Sequence, residues 1–169
     1  KMESLVKALL NYAKPTPRNC LPTDINQLLG KSLSFFITQQ GSRDDIIIEK
    51  FLFSPLPMIM IDQNSMGQAF LNIILNAHNA MPKGGTLRIF TSLLNQKEDA
   101  KEEGRPSIVR IVFEDTGIGI QEENLPRVFN PFFSTRPDGT GLGLSTTKSI
   151  VEQHGGNIAL ESRVNAGTK

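Results

Sequence analysis

The sequence predicts an α+β fold, a two-layer α/β sandwich in which a mixed sheet is covered on one face by about three helices. Three observations predict it. Stretches of helical period alternate with short β-rich runs in the order helix, two strands, helix, two strands, helix, strand. The 169 residues suffice for one domain with a proper core and not comfortably for two. The third observation is the stretch Gln68–Gly85, QAFLNIILNAHNAMPKGG. At helical period Met66, Phe70, Ile73, Ile74, Ala77 and Met81 form one side, and Asn72, Asn76 and Asn79 project from the other. Asn is a mediocre helix former because its amide competes for backbone hydrogen bonds. Such a stripe points to a partner for the amides, expected to be a ligand.

Composition narrows the function classes. Eighteen Lys and Arg against seventeen Asp and Glu leave a formal charge of +1, so no bulk attraction to nucleic acid or anionic membrane is expected. The single cysteine, Cys20, cannot close an internal disulfide. No apolar run approaches the roughly 18 residues of a membrane span. A reducing, cytoplasmic setting is expected, with any anchor or sensor outside this chain.

The elements follow in order. Met2, Leu5, Val6, Leu9, Leu10 and Ala13 mark an amphipathic helix over residues 1–14, stopped by Pro15 and Pro17. Residues 15–23 carry prolines and read as a stiff linker. A second helix starts at Asp24, which can cap it with Gln27 three residues on, and Gly41 is its expected stop. Ile46–Phe53 and Met58–Ile61 read as two strands around the turn SPLP. Asp62 or Asn64 then opens the asparagine helix, which Pro82, Gly84 and Gly85 end. Thr86–Leu94 and Ile108–Asp115 read as strands joined by the charged loop QKEDAKEEGRP. A short helix is expected around Glu122–Phe129. A last helix carries Leu144, Thr147, Ile150 and Val151 on one side and ends at Gly155 and Gly156, and Asn157–Val164 reads as a strand.

Asp115 closes a strand and is followed by Gly117 and Gly119. A carboxylate held there can accept a hydrogen bond from an exocyclic amine such as that of adenine, where guanine offers an acceptor instead. Alone, Asp-x-Gly is an ordinary turn. Glycines 139, 141 and 143 open a helix, whose free N–H groups and dipole suit phosphate. No Gly-Lys-Ser/Thr follows, and the spacing is not the dinucleotide fingerprint. His78, on the flank of the asparagine helix, is expected to be structural. His154, at a helix end, is expected to be a surface residue favoured by the helix dipole.

In combination, NIILNAHNAMPKGG, DTGIGI, VFNPFFSTRPDGTGLGLS and NAGT resemble the ATP-binding catalytic domain of sensor histidine kinases. That superfamily also includes type II topoisomerase, Hsp90 and the mismatch-repair ATPases. The nitrogen-regulation type, with its short lid, is the most similar. The resemblance covers about residues 24–169 and implies a Bergerat-type ATP-binding fold; residues 1–14 resemble the end of the family's dimerisation hairpin.

The resemblance implies ATP and Mg²⁺ as cofactors. Asn76 would coordinate the metal through its amide oxygen, a hard donor, with Asn72 and Asn79 supporting metal and phosphates. Asp115 would take the adenine amine, Gly117 and Gly119 would admit the base, and Thr168 would sit by the same pocket. Gly139, Thr140, Gly141, Leu142 and Gly143 would wrap the phosphates as part of a mobile lid. Arg136 stands where the family usually shows Lys. Phe129, Phe132 and Phe133 would anchor the lid and contact the hairpin; simple core aromatics are the alternative. Ala166 departs from the family's Gly-x-Gly-Thr, and the strand that follows it in the family is absent.

Hydrolysing members of the superfamily carry Glu four residues before the metal-binding Asn, as a base for water. Asn72 stands there and cannot accept a proton at neutral pH. The resemblance therefore implies transfer rather than hydrolysis, to a histidine on a dimerisation domain outside this chain, with no catalytic residue within it. A response regulator and a homodimer of the full-length protein are the implied partners. An ATPase of the same fold and a nucleotide-sensing module without transfer are the alternatives.

Overall fold

A computed structural model of the chain describes residues 19–40, 45–94, 108–137 and 139–169. The helix expected over 1–14, Gly41 as a helix stop and the charged loop 96–106 lie outside these residues. Strand β1 (Cys20–Thr23) leads into helix α1 (Ile25–Gln40), then strands β2 (Ile46–Leu52) and β3 (Ile59–Asp62). Helix α2 (Gln63–Ala80), strands β4 (Gly85–Leu94) and β5 (Ile108–Asp115) and a 3₁₀ turn over Glu122–Arg127 follow. Helix α3 (Gly143–Gln153) and the short strands β6 (Ser162–Arg163) and β7 (Gly167–Thr168) complete the order.

Both expected helix starts use the expected caps. Asp24 Oδ1 accepts the Gln27 N–H at 3.1 Å, and Asp62 Oδ1 accepts the Ser65 N–H at 2.9 Å. The asparagine helix is α2, and its buried side is Met66, Ala69, Phe70, Ile74 and Ala77. These side chains meet Leu29 and Leu33 of α1, Leu87 and Ile89 of β4 and Ile150 of α3 in one core. Burying Leu29, Ile74, Met81 and Ile89, all almost fully enclosed, contributes about 1.5–3 kcal/mol each.

The main sheet has five strands in the order β2-β4-β5-β7-β6. Strand β2 runs parallel to β4, and β4–β5, β5–β7 and β7–β6 are antiparallel. Along β5, Val109, Ile111 and Phe113 alternate towards the helices. On the uncovered face Ile47, Phe51, Leu94 and Ile108 are exposed, and Phe51 stacks on Phe90 with centroids 4.9 Å apart. The sheet is thus mixed and covered on one face, as expected.

The pairing of the early strands differs from expectation. β2 and β3 do not form a hairpin. β3 pairs antiparallel with β1, with Cys20 opposite Asp62 and Thr23 opposite Ile59, in a separate two-stranded sheet. The end of the segment read as a linker over 15–23 is therefore a strand; Pro22 is tolerated because a two-stranded sheet has only edges. β2 takes β4 as its parallel neighbour, with Ile46 opposite Gly85. Parallel neighbours need a long crossover, and α2 supplies it.

Two further expectations are corrected. The short helix around Glu122–Phe129 is a 3₁₀ turn ending at Arg127, with Pro126 inside it; proline has no N–H for an α-helical bond. The strand expected over Asn157–Val164 contracts to Ser162–Arg163. Its ladder is limited by β7, which returns after a tight turn at Val164–Ala166, with Ala166 N–H donating to Arg163 O at 3.0 Å. Asn165 adopts φ 59 in that turn, a left-handed conformation that Asn tolerates better than other side chains. Aligned on Gly167 and Thr168, Ala166 fills the unrestricted position of Gly-x-Gly-Thr, so the departure falls at Asn165 rather than at Ala166.

Candidate functional site

The stripe of α2 faces the start of α3. Asn72 and Asn79 are half-buried and Asn76 is exposed, all on one face at i, i+4 and i+7. Asn72 Nδ2 donates to Gly143 O at 3.2 Å and lies 3.4 Å from Thr147 Oγ1. A Cβ placed on Gly143 would touch Asn72 Cγ and Asn76 Nδ2, each at 3.9 Å, so both amides border this residue. Thr147, itself fully buried, donates back to Gly143 O at 2.9 Å.

The other end of α2 abuts the glycine turn after β5. Asp115 is 8% exposed, and its Oδ1 accepts the Gly117 N–H at 2.8 Å. Burial raises its carboxyl above the ordinary value, opposed by backbone N–H bonds from Gly117 and Thr168. Gly117 is buried so closely on α2 that a Cβ would lie 2.8 Å from that of Ala80, and Ile118 N–H donates to Ala80 O at 2.9 Å. Gly119, at φ 69, lies so near Arg163 O that a side chain would strike it. The sheet sets Thr168 directly opposite Asp115. Ser162 Oγ lies 2.9 Å from Thr168 Oγ1 and accepts the Ile120 N–H at 2.9 Å.

The glycine segment lies at the entrance to α3. Arg136, Gly139 and Thr140 are exposed, Gly141 and Gly143 half-buried, and Leu142 buried. Gly141 has φ 68 and faces the Phe132 backbone so closely that any Cβ would collide with it. Phe132 is itself at φ 66 and 58% exposed. Phe129 and Phe133 are half-buried, with the Lys148 ammonium 5.6 Å from one ring and the Arg127 guanidinium 4.6 Å from the other. None of the three is a core aromatic. No side chain caps the first turn of α3, which leaves backbone N–H groups there for a ligand.

Of the expected glycines, Gly117 and Gly143 border α2 directly, at Ala80 and at Asn72 and Asn76. From Asn72 to Ala80 the helix rises about 12 Å, and this length separates the Gly143 end from the Asp115 end. A cavity of about 160 Å³ beside α1, lined by residues including Pro22, Asp24, Lys31 and Met58, contains none of them. Sequence reasoning missed Thr147 and Ser162 as site supports. Thr147 carried one signal, its place four residues after Gly143; Ser162 carried none.

The two histidines also differ from each other. His78 has both ring nitrogens buried without a hydrogen-bond partner among the described residues and meets Phe36 edge-on at 5.3 Å. His154 is not a free surface residue favoured by the dipole. Its Nδ1 is 2.7 Å from Ile150 O, and its Nε2 is 3.0 Å from the Asp62 backbone N.

A buried strand-end carboxylate, an amide-faced helix and a glycine-rich helix start are thus brought together on one mixed sheet. The chain matches the family of histidine kinase-, DNA gyrase B-, and HSP90-like ATPases over residues 61–169 and belongs to it. Among curated relatives, it is 33% identical over 168 residues to the sensor histidine kinase ZraS of Escherichia coli K12, covering 99% of this chain and 34% of that protein. Full-length ShkA, solved in complex with AMPPNP, superposes with a TM-score of 0.75 at 28% identity, covering 99% of this chain and 34% of that one. Histidine kinase ThkA, solved in complex with the response regulator protein TrrA, gives a TM-score of 0.71 at 25% identity, covering 99% and 45%. The chain spans about a third of the length of the first curated relatives it matches.

Proposed function

We propose that this chain is the ATP-binding catalytic part of a protein-histidine kinase, which binds Mg-ATP and presents the γ-phosphate to a histidine on a separate dimerisation domain. The observation that carries it is the placing of the Asp115 turn and the Gly143 helix start at opposite ends of the α2 amide stripe, a span that suits a nucleoside triphosphate. Asp115 would accept the adenine amine beside Gly117, Gly119 and Thr168. Asn79 and Asn72 would flank the phosphate tail, with Arg136, Gly139, Thr140, Gly141, Leu142 and Gly143 over it.

The donor set fits magnesium. No group of three or more His, Cys, Asp or Glu side chains converges among the described residues. The amide oxygen of Asn76 is a hard donor for a cation that keeps waters and shares phosphate oxygens. When bound, the ion neutralises charge on the phosphates. The residues of this chain orient the nucleotide and exclude water from one side of it, so that positioning supplies the catalysis.

Transfer is favoured over hydrolysis because Asn72 has no carboxylate to activate water and its amide nitrogen is engaged by Gly143. The names of the relatives support the same reading, and the ThkA–TrrA complex supports a response regulator as downstream partner. The full-length protein would act as a homodimer with its catalytic domain in the cytoplasm. Among the described residues no helix is long and apolar enough to cross a membrane. The catalytic domain would begin near residue 24, with β1 packed against it.

A thermal-shift titration with ATP, ADP and GTP, with and without Mg²⁺, tests the binding. ATP at about 100 times its dissociation constant should add about 2.7 kcal/mol, with GTP much less effective and the ATP shift enlarged by Mg²⁺. Steady phosphate release by the chain alone would favour an ATPase. ATP binding without transfer to the histidine of the full-length protein would favour a nucleotide-sensing module.

A further inference from the structure

His154 sits on the far side of α3 from the glycine segment, yet its two hydrogen bonds are of fixed sense. Ile150 O can only accept, so Nδ1 carries the proton and donates at 2.7 Å. The Asp62 backbone N–H can only donate, so Nε2 accepts at 3.0 Å. The ring bridges the C-terminal end of α3 to the N-cap of α2.

Asp62 is a junction in its own right. Its Oδ1 caps α2 at Ser65 N and its Oδ2 accepts the Asn19 N–H at 3.0 Å. These bonds, the Ser65 one foremost, hold its carboxyl below the ordinary value. The residue that receives α3 is therefore itself held by two other segments. At the opposite end of α3, Asn72 grips Gly143 O and Thr147. The contacts on α2 lie ten residues apart, so the helices run antiparallel and are fastened at two points about 15 Å apart. Apolar packing at Ile150 holds the two helices together, and polar ties at two separate points fix the slide and rotation of one on the other.

We propose that His154 is a positioning residue of the nucleotide site, which locks the rotation of α3 on α2 and so aims the first-turn N–H groups and Gly143 at the space beside Asn76. The inference rests on the nucleotide reading of that site. His154 touches no ligand; it acts through Asp62 at one end and the register of α3 at the other. Its loss leaves the Asn72 bonds and the Ile150 packing to hold α3 on α2, and the error is greatest where the phosphates would sit. The Asp115 corner, which α3 does not build, is unaffected.

Two polar replacements separate the bonds. His154→Asn keeps a donor towards Ile150 O and cannot reach Asp62; His154→Gln can place an acceptor near the position of Nε2. Affinities of the chain for Mg-ATP and for adenosine, measured by calorimetry, are the readout, with the amide resonance of Asp62 reporting its hydrogen bond. His154→Asn should weaken ATP about tenfold, the order expected for one lost hydrogen bond, and leave adenosine nearly unchanged. His154→Gln should recover most of the ATP affinity. Equal losses for ATP and adenosine, or a lowered melting temperature with unchanged ATP affinity, would reduce His154 to a stabilising contact and overturn the proposal. A wild-type chain that fails to bind ATP would overturn the nucleotide reading and this proposal together. Wild-type binding with His154→Asn unaltered would sink this one alone.

Discussion

The Asp115 corner and the glycine segment before α3 are the two ends of the proposed site, and they are held in opposite ways. At the corner, bonds join parts of the chain far apart in sequence: Ile118 to Ala80, Asn165 to Ile118, Ile120 to Ser162. Asp115, Gly117 and Gly167 are buried there. In the glycine segment the bonds are local, from Ser134 Oγ to Arg136 O, from Gly139 N to Arg136 O and from Leu142 N to Thr140 Oγ1. Arg136, Gly139 and Thr140 are exposed. The lesson is that the end proposed to read the base is fixed before any ligand arrives, because its geometry is enforced by the sheet. Among the described residues, the end proposed to hold phosphates is held by local bonds until Gly143, where Asn72 of α2 takes hold, so it can adapt.

The largest test of this contrast strikes the corner. Gly167 has φ 94, and a side chain there would collide with Asp115 O. Gly167→Val should separate β7 from β5 and cost about 3 kcal/mol or more in urea unfolding, from strain and overpacking together. A change within experimental error would mean that the corner yields as easily as a loop.

Next comes Asp115→Asn. It should weaken adenosine, ADP and ATP alike, about a hundredfold for loss of a bond to a buried charge, and blunt discrimination against GTP. Calorimetry showing unchanged affinities would remove Asp115 from base recognition. The carboxyl also sets a pH dependence. Burial raises it, so ionisation is less favourable in the folded chain and Asp115's contribution to stability falls as pH rises from the ordinary carboxyl value through its raised value. Adenine affinity should move the other way and decline, as pH falls, from above the ordinary carboxyl range. The Asn variant should lack that decline.

The smallest effect is expected at the adaptable end. Gly141→Ala forces a side chain into φ 68 against Phe132, at a local cost of about 1–2 kcal/mol. ATP affinity should fall about tenfold, while adenosine affinity stays near wild type. Loss of adenosine binding as well would show that the two ends are not separately held.

Much of the local structure around the candidate site was legible in the residues themselves. The turn of α2 that carries Asn76 followed from periodicity, and Asp24 and Asp62 announced the helix starts because a cap bonds N–H groups only three residues away. Gly141 and Gly143 marked the entry to α3 for an equally local reason. The 3₁₀ turn was missed because Pro126 was not weighed against the helical period. His154 was misread because its position at a helix end suggested a charged dipole partner, whereas its acceptor role depends on Asp62, ninety-two residues earlier in the chain.

The chain alone therefore determined where helices start, which face of α2 bears amides and where the backbone must accept glycine, since each is decided within one or two turns of chain. Only the tertiary structure decided that β3 turns to β1 and β2 to β4, that Thr168 lies beside Asp115 and that α3 is fastened to α2 by Asn72 and His154. Those choices set one long-range partner against another. What selects among them is closure of long loops and burial of a shared core, which no local pattern records.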